Sequence, residues 1–353
     1  MSRIGLIARA DNTGLGNQSW AFQRHVRPDK TLIVDFTENS DSGKDLTIHP
    51  ERFPGNTTIV TGPPDGPAMV EFLDDLDTVF AMETPYNFDL FRMCRARGIK
   101  TVLQANWEML GYHHDEDRLP FPDVLAFPST WHLPLARRKF GDRTKVVFLP
   151  VPIEKSPRPA SPPTTATRFL HVAGYPAVGD RNGTSDLLEA LRYVKSEITV
   201  TLTCQKPGWL GTLIEPDQVP DNVTLVIDSS PPEDYWDLYA DQHALVLPRR
   251  YGGLSLPVNE AIGAGIPVIM PAISPNTRWL PPEWLVPATL HNTIYTKAIV
   301  DVFRADPRGL AGLVDRMAND VDFYSKACGQ ARVLQEEHSW DFLLPRYYQK
   351  AMS

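Results

Sequence analysis

Short apolar runs alternate with helix-length stretches along this chain, and that alternation constrains its fold more than any other feature. In the first half, RIGLIA (3–8), TLIVDF (31–36), TVFAME (78–83), KTVLQA (100–105) and KVVFLP (145–150) are apolar runs that end at turn signals. Between them lie helical stretches such as NFDLFRMCRARG (87–98) and HLPLARRKFG (132–141). Near-continuous apolar runs mark strands covered on both faces, so the pattern predicts βα units around a parallel sheet. PVPIEKSPRPASPPTTAT (150–167) interrupts the series; it is rich in Pro, Ser and Thr and has no hydrophobic period, as a linker would be. The alternation then restarts. RFLHVAG (168–174), ITVTLTC (198–204), VTLVID (223–228), HALVLP (243–248) and IPVIMP (266–271) read as strands, SDLLEALRYV (185–194) and PEDYWDLYADQ (232–242) as helices.

The expectation is an α/β chain of two Rossmann-like, doubly wound domains. Residues 1–150 form the first, 151–167 the linker, 168–330 the second, and 331–353 a C-terminal helix crossing back to the first. Parallel sheets of this kind bind ligands beyond the carboxyl ends of their strands, which places the expected site in the cleft between the domains. A length of 353 residues suits two domains. A formal charge of −8 excludes a whole-protein basic field for nucleic acid or anionic membrane. Cys94, Cys204 and Cys328 are far apart, with no metal or redox spacing, which fits a reducing cytoplasm. No apolar run approaches the roughly 20 residues that span a bilayer, and MSRIGLIARADN reads as a first strand rather than a signal peptide.

Three strand-to-helix stretches carry chemistry. RADNTGLGNQSW (9–20) places Gly14, Gly16 and Asn17 where a backbone can approach a ligand at a helix start. The same text fits a tight turn with no ligand, or a dinucleotide loop lacking its third glycine. AGYPAVGDRNGTSDLLEAL (173–191) ends a strand at Gly174 and sets Arg181 just before a helix that Thr184 or Ser185 would cap. A guanidinium beside free N–H groups makes a diphosphate cradle; a solvated loop arginine is the alternative. RRYGGLSLPVNEAIGAGIPVIMP (249–271) leads from a glycine pair through Pro257 to Glu260, expected in the first helical turn, with Gly265 ending the helix. There an acid would complement the helix dipole or bind a ligand.

The segment YGGLSLPVNEAIGAGIPVIMP resembles the donor-binding signature of GT-B glycosyltransferases, especially family four. Gly253, Leu256, Pro257, Glu260, Ala261, Gly265, Pro267 and Val268 fall in register. The resemblance spans nearly the whole chain: KVVFLPVPIE is similar to the family's inter-domain crossing, PEDYWDLYADQHALVLP to the segment before the signature, and HSWDFLLPRYYQKA (338–351) to its C-terminal helix. It implies that Glu260 holds the donor ribose hydroxyls, since an ionised carboxylate is acceptor-only and takes both protons of a cis-diol. It implies that Gly253, Leu254 and Ser255 present N–H groups to the diphosphate and sugar. The reaction it implies is sugar transfer from a UDP- or GDP-linked donor to an acceptor hydroxyl, with retention, without metal and without a cofactor.

Several positions depart from the family pattern. Its first glutamate falls at Gly252, its arginine at Tyr175 and its lysine at Asn182; Arg181 is the nearest cation, and Lys206 or Arg250 would add a second. Trp107 and Glu108 stand near its N-terminal histidine. Acids expected at strand ends in the first domain are Asp11, Glu83 and Glu108, each able to orient or deprotonate an acceptor, or to cap a loop. With Arg181 they are the candidate catalytic residues. His113 and His114 form a pair without partner spacing for a metal. The run ARRKFGDRTK (136–145) would be a solvated face or, as the resemblance implies, contact a membrane or an anionic acceptor, and Trp107, Trp131, Tyr112 and Tyr86 would stack on a ligand or fill the core. The acceptor stays open among saccharide, lipid, protein side chain and modified DNA base. The oligomeric expectation is a monomer or weak oligomer. The short first domain and variant motifs suit a divergent, phage-encoded member in a host cytoplasm. Two rivals stand beside this reading: a donor-binding module without turnover, and a dinucleotide-dependent oxidoreductase built on Gly14-x-Gly16.

Overall fold

Seven apolar segments pair into the first parallel sheet: β1 (Ile4–Ala8), β2 (Lys30–Asp35), β3 (Thr57–Thr61), β4 (Thr78–Met82), β5 (Lys100–Gln104), β6 (Val124–Phe127) and β7 (Lys145–Phe148). Their order across the sheet is β3–β2–β1–β4–β5–β6–β7. The computed structural model describes residues 2–38, 46–110, 120–158, 161–174, 180–214, 219–230, 232 and 234–352, with the side chains of 347–352 outside the description. Leu6 lies level with Thr31 of β2 and Phe80 of β4. Leu6, Leu32 and Phe80 are fully buried, as expected of a sheet covered on both faces. Phe22 of the helix Gly14–Val26 meets Phe80 with ring centroids 4.6 Å apart, an aromatic pair that ties helix to sheet.

The second sheet is built from β8 (Arg168–Gly174), β9 (Ile198–Cys204), β10 (Val223–Asp228), β11 (Ala244–Val246), β12 (Val268–Pro271) and β13 (Leu285–Val286), in the order β10–β9–β8–β11–β12–β13. All its pairings are parallel. Helices Thr184–Leu191, Leu256–Gly263, Pro307–Asn319 and Val321–Glu337 contribute to one core with these strands, around Phe169, Leu245, Ile269, Trp284 and Tyr324. The strand order reverses direction between β1 and β4 in the first sheet and between β8 and β11 in the second. Loops leaving adjacent strands at such a point diverge and open a crevice. Residues 9–13 and 83–88 follow β1 and β4; residues 180–183 and 247–255 lie beyond β8 and β11.

By contact the chain divides into Met1–Val151 with Leu343–Ser353, and Pro152–Phe342. The expected linker is anchored at both ends to the second unit. Ile153 bridges Ser339, and the N–H of Ala166 donates to the Met317 carbonyl at 2.9 Å.

Four expectations change. The sheet strands β3, β6 and β13 appear where none was predicted. The helix expected over 232–242 shrinks to Asp237–Ala240. The C-terminal helix is two helices, Val321–Glu337 and Trp340–Met352, parted at His338–Ser339. An antiparallel hairpin, β14 (Ala288–Tyr295) with β15 (Ile299–Ala305), stands outside both sheets. No helix among the described residues is long and apolar enough to cross a membrane.

Candidate functional site

The glycine loop after β11 is shaped by an arginine. Arg249 is buried at 8% exposure; its Nε donates to the Tyr251 carbonyl at 3.0 Å and its Nη2 to the Leu254 carbonyl at 2.7 Å. Its Nη1 reaches Asn182 Oδ1 at 3.3 Å. With these carbonyls turned to Arg249, none of the backbone N–H groups from Gly252 to Leu256 donates to a described residue. The Ser255 hydroxyl, buried at the start of the helix Leu256–Gly263, also lacks a partner among the described residues. Undonated amides at a helix start form an anion site, because the helix dipole adds to their partial charges.

Gly252 has a steric reason to be bare. Its φ is +122°, and a Cβ there would lie 2.5 Å from Arg249 Nη2 and 2.7 Å from Arg181 Nη2. Two guanidinium groups thus fill the space that a side chain at 252 would need. Arg181 also lies over the Tyr251 ring, 5.4 Å from its centroid. Two cations brought together beside open amides make the loop strongly attractive to a diphosphate.

Glu260 is not in the first helical turn. The helix begins at Leu256, and Glu260 is its fifth residue, so a simple dipole role for the acid is set aside. Helix Leu256–Gly263 ends as expected: Gly265 has φ +80°, its N–H bonds to the Ile262 carbonyl, and the Ile266 N–H bonds to that of Ala261. The Tyr239 hydroxyl donates to Glu260 Oε2 at 2.6 Å. Burial pushes the Glu260 carboxyl up to about 7, against the opposing pull of that hydrogen bond. Oε1 accepts from no described residue.

The loop after β8 behaves differently from expectation. The N–H groups of Thr184 and Ser185 do not stand free. Asp180 takes both, at 3.0 and 2.8 Å, and also accepts from the Ser185 hydroxyl at 2.6 Å. An internal carboxylate therefore occupies this helix start, and neither Thr184 nor Ser185 caps it. Thr184 instead meets Nε2 of the buried His171 at 3.0 Å, whose Nδ1 faces the Val246 carbonyl at 2.9 Å. Arg250 is committed to Asp186 at 2.6 Å and to Ser185 at 2.8 Å; Arg304 meets the same fully buried Asp186 at 2.9 Å. Gly174 ends β8 with φ +64°. Lys206 stands at the start of the short helix Pro207–Gly211. Tyr175, Tyr112, His113 and His114 lie outside the described residues.

In the first unit, Gly14 and Gly16 are helical residues rather than loop residues, with Thr13 as N-cap. A Cβ on Gly16 would fall 1.8 Å from the Asp11 carbonyl oxygen, and the Gly16 N–H is taken by Thr13 Oγ1 at 3.3 Å. Gly16 therefore serves close packing of the chain on itself, which removes the main support for the dinucleotide reading. Asn17 closes the first helical turn on the Thr13 carbonyl. Asp11 is not an open acid either: it is 2% exposed, ion-paired with Arg9 and bonded to the N–H and hydroxyl of Thr13. Glu83 directly follows β4 with φ +60°, and Tyr86 comes three residues later at +62°, two side-chain-bearing residues in the left-handed region. Such conformations persist where surrounding structure holds them and are concentrated at functional sites. Glu108 is buried in a 3-10 turn, Trp107–Met109. Trp107 and Trp131 each meet the His132 ring, with centroids 4.9 and 4.7 Å apart, and both indoles are buried, so they serve the core. The basic run lies on the helix Leu133–Phe140 and its exit.

Sequence reasoning missed Arg249, Asp180 and Tyr239. Asp180 stands a few residues ahead of a helix start, a legible capping signal; the other two act through contacts that residue spacing does not encode.

No protein-family model matches the chain, and no curated protein matches it. Solved structures do. A sucrose-phosphate synthase from Thermosynechococcus elongatus aligns at a TM-score of 0.65 and 14% identity, over 99% of this chain and 99% of that one. A UDP-forming trehalose-phosphate synthase from Burkholderia xenovorans aligns at 0.63 and 10%, over 100% of each. The E. coli trehalose-6-phosphate protein bound with UDP-2-fluoro glucose aligns at 0.65 and 10%, over 99% of each. The chain has the GT-B fold, two Rossmann-like α/β units.

Proposed function

We propose that this chain is a glycosyltransferase that binds a nucleotide-diphosphate sugar on its second unit and transfers the sugar to an acceptor hydroxyl. One observation carries the reading: the N–H groups of Gly252–Leu256, which donate to no described residue, lie where Arg181 and Arg249 converge. The donor's diphosphate would take the amides and guanidiniums, and its ribose diol would take Glu260. Charge growing on the departing diphosphate would be met by groups already in place, which lowers the barrier without reorganisation. Structural neighbours that form UDP or are bound with UDP-2-fluoro glucose make a UDP-sugar the first donor to test. Retention and independence from metal follow the resemblance of the 251–271 segment. Glu83 and Glu108 stay as acceptor-side acids; Asp11, committed to Arg9 and Thr13, does not.

Calorimetry with UDP-glucose and GDP-mannose tests the reading. Glu260→Ala should weaken the bound donor by roughly tenfold to a hundredfold, the worth of one charge-assisted hydrogen bond. Donor affinity unchanged in Glu260→Ala would overturn the assignment. Sugar release or transfer by mass spectrometry separates an enzyme from a donor-binding module.

A further inference from the structure

Tyr239 sits 21 residues before Glu260 and is 1% exposed, so its hydroxyl has been carried into the core of the second unit rather than left at the surface. A phenol that deep needs a hydrogen-bond partner. Its partner is Oε2 of Glu260 at 2.6 Å, a distance typical of a hydroxyl on a charged acceptor. The ring is fixed by Trp236, with centroids 6.3 Å apart and edge to face, so the phenol holds the carboxylate from a rigid base. Oε2 then retains one acceptor position and Oε1 retains both, enough for a diol to bridge the two oxygens.

We propose that Tyr239 is a positioning residue for the donor ribose: it fixes the Glu260 carboxylate in its ionised, diol-accepting form and thereby sets the pH range over which the donor binds. The inference rests on Glu260 being the ribose acceptor. The helix of Glu260 packs against the Val321–Glu337 helix and lies beside Tyr235–Ala240. Among the described residues, Tyr239 is the one ionisable group on these elements that acts on Glu260, and Tyr235 acts in turn on Tyr239. Burial alone drives the Glu260 carboxyl towards its neutral form, and the phenol opposes it. A protonated carboxyl gives up one acceptor position, so donor affinity falls as pH drops through about 7. Without the phenol oxygen that midpoint moves up, by about one to two pH units if the bond is an ordinary charged one.

The test is UDP binding by calorimetry from pH 6 to pH 9, with 2′,3′-dideoxy-UDP as the ligand that lacks the diol. The wild type should bind UDP about tenfold more weakly at one pH unit below the midpoint than on its alkaline plateau. Tyr239→Phe removes one oxygen from a buried ring. It should bind UDP about fivefold to fiftyfold more weakly near pH 7 and come within about twofold of wild-type affinity at pH 9. Glu260→Gln, which cannot titrate, should bind weakly with a flat profile. A Tyr239→Phe profile that overlays the wild type, or drops by one factor at every pH, overturns the positioning role. Equal binding of UDP and its dideoxy analogue by the wild type instead overturns the ribose assignment. Thermal melts of each variant show whether the fold is kept.

Discussion

Replacing Gly252 by alanine should damage the site through geometry rather than lost chemistry. The backbone there has φ +122°, a region that an L side chain occupies at a cost of about 1–3 kcal/mol. The added methyl would also stand 2.5 Å from Arg249 Nη2. Carbon and nitrogen at rest need about 3.5 Å, so the guanidinium has to retreat by about an ångström. Retreat loosens its bonds to the Tyr251 and Leu254 carbonyls, each a charged hydrogen bond of about 1.5–3 kcal/mol. Part of that is recovered by relaxation, and a net loss of about 3 kcal/mol is expected. For a unit of this size that lowers Tm by about 6–12 °C. Differential scanning calorimetry measures it, and UDP-glucose binding should weaken alongside because the amides lose their brace. The decisive comparison adds Arg249→Ala. With Arg249 removed the methyl meets less, so the double variant should lose at least about 1 kcal/mol less than the two single losses together. Strict additivity, or a Gly252→Ala protein that melts and binds like the wild type, would refute the reasoning.

Two other outcomes follow from ion placement. Asp180→Ala should cost about 0.5–2 kcal/mol by urea denaturation, since Thr184 and Ser185 lose the acceptor of their N–H groups; Asp180→Asn, which keeps one acceptor oxygen of the two, should recover only part of it, and no loss with alanine would contradict the capping role. Asp186→Ala should cost about 3–5 kcal/mol, because the carboxylate is fully buried and Arg250 loses its 2.6 Å partner, leaving Asp180 at 3.9 Å as the more distant carboxylate; the same assay reads it, and a loss under about 1 kcal/mol would show that Asp180 takes over the charge.

The alternation of apolar runs carried both parallel sheets, because strands covered on two faces have to be apolar throughout. It failed where that condition fails, at β3 and β14, and also at β6, a fully buried run of only four residues closed by Pro128. β3 is an edge strand with no fully buried residue, and its TTIVT text does not stand out from a loop. β14 is exposed over most of its length, so neither face imposes an alternation to read. The end of the Glu260 helix was legible because a glycine in left-handed conformation is a local requirement. Its start was not: Pro257 marks the first turn, but the turn opens one residue earlier and carries Glu260 past it. Asp11 looked like a site acid because it follows β1, yet its partners Arg9 and Thr13 are sequence neighbours whose side chains turn towards it only in three dimensions. Gly252 looked like a lost glutamate. The arginine that takes its space sits three residues away, and no spacing rule announces that it folds back.

Asp186 joins three distant stretches of chain: its own helix, Arg250 at a separation of 64 residues and Arg304 at 118. The Phe303 N–H also donates to the Arg250 carbonyl at 3.0 Å, tying the hairpin to the residue just before Tyr251. Contacts that close such long loops carry their entropy cost before they yield any stabilisation, which makes them late events as a chain assembles. The glycine loop is therefore finished only when the hairpin, far down the sequence, has docked. Under the donor-binding proposal, a nucleotide would hold the completed unit against unfolding, and a chain that still lacks residues 303–304 would offer it no finished cradle.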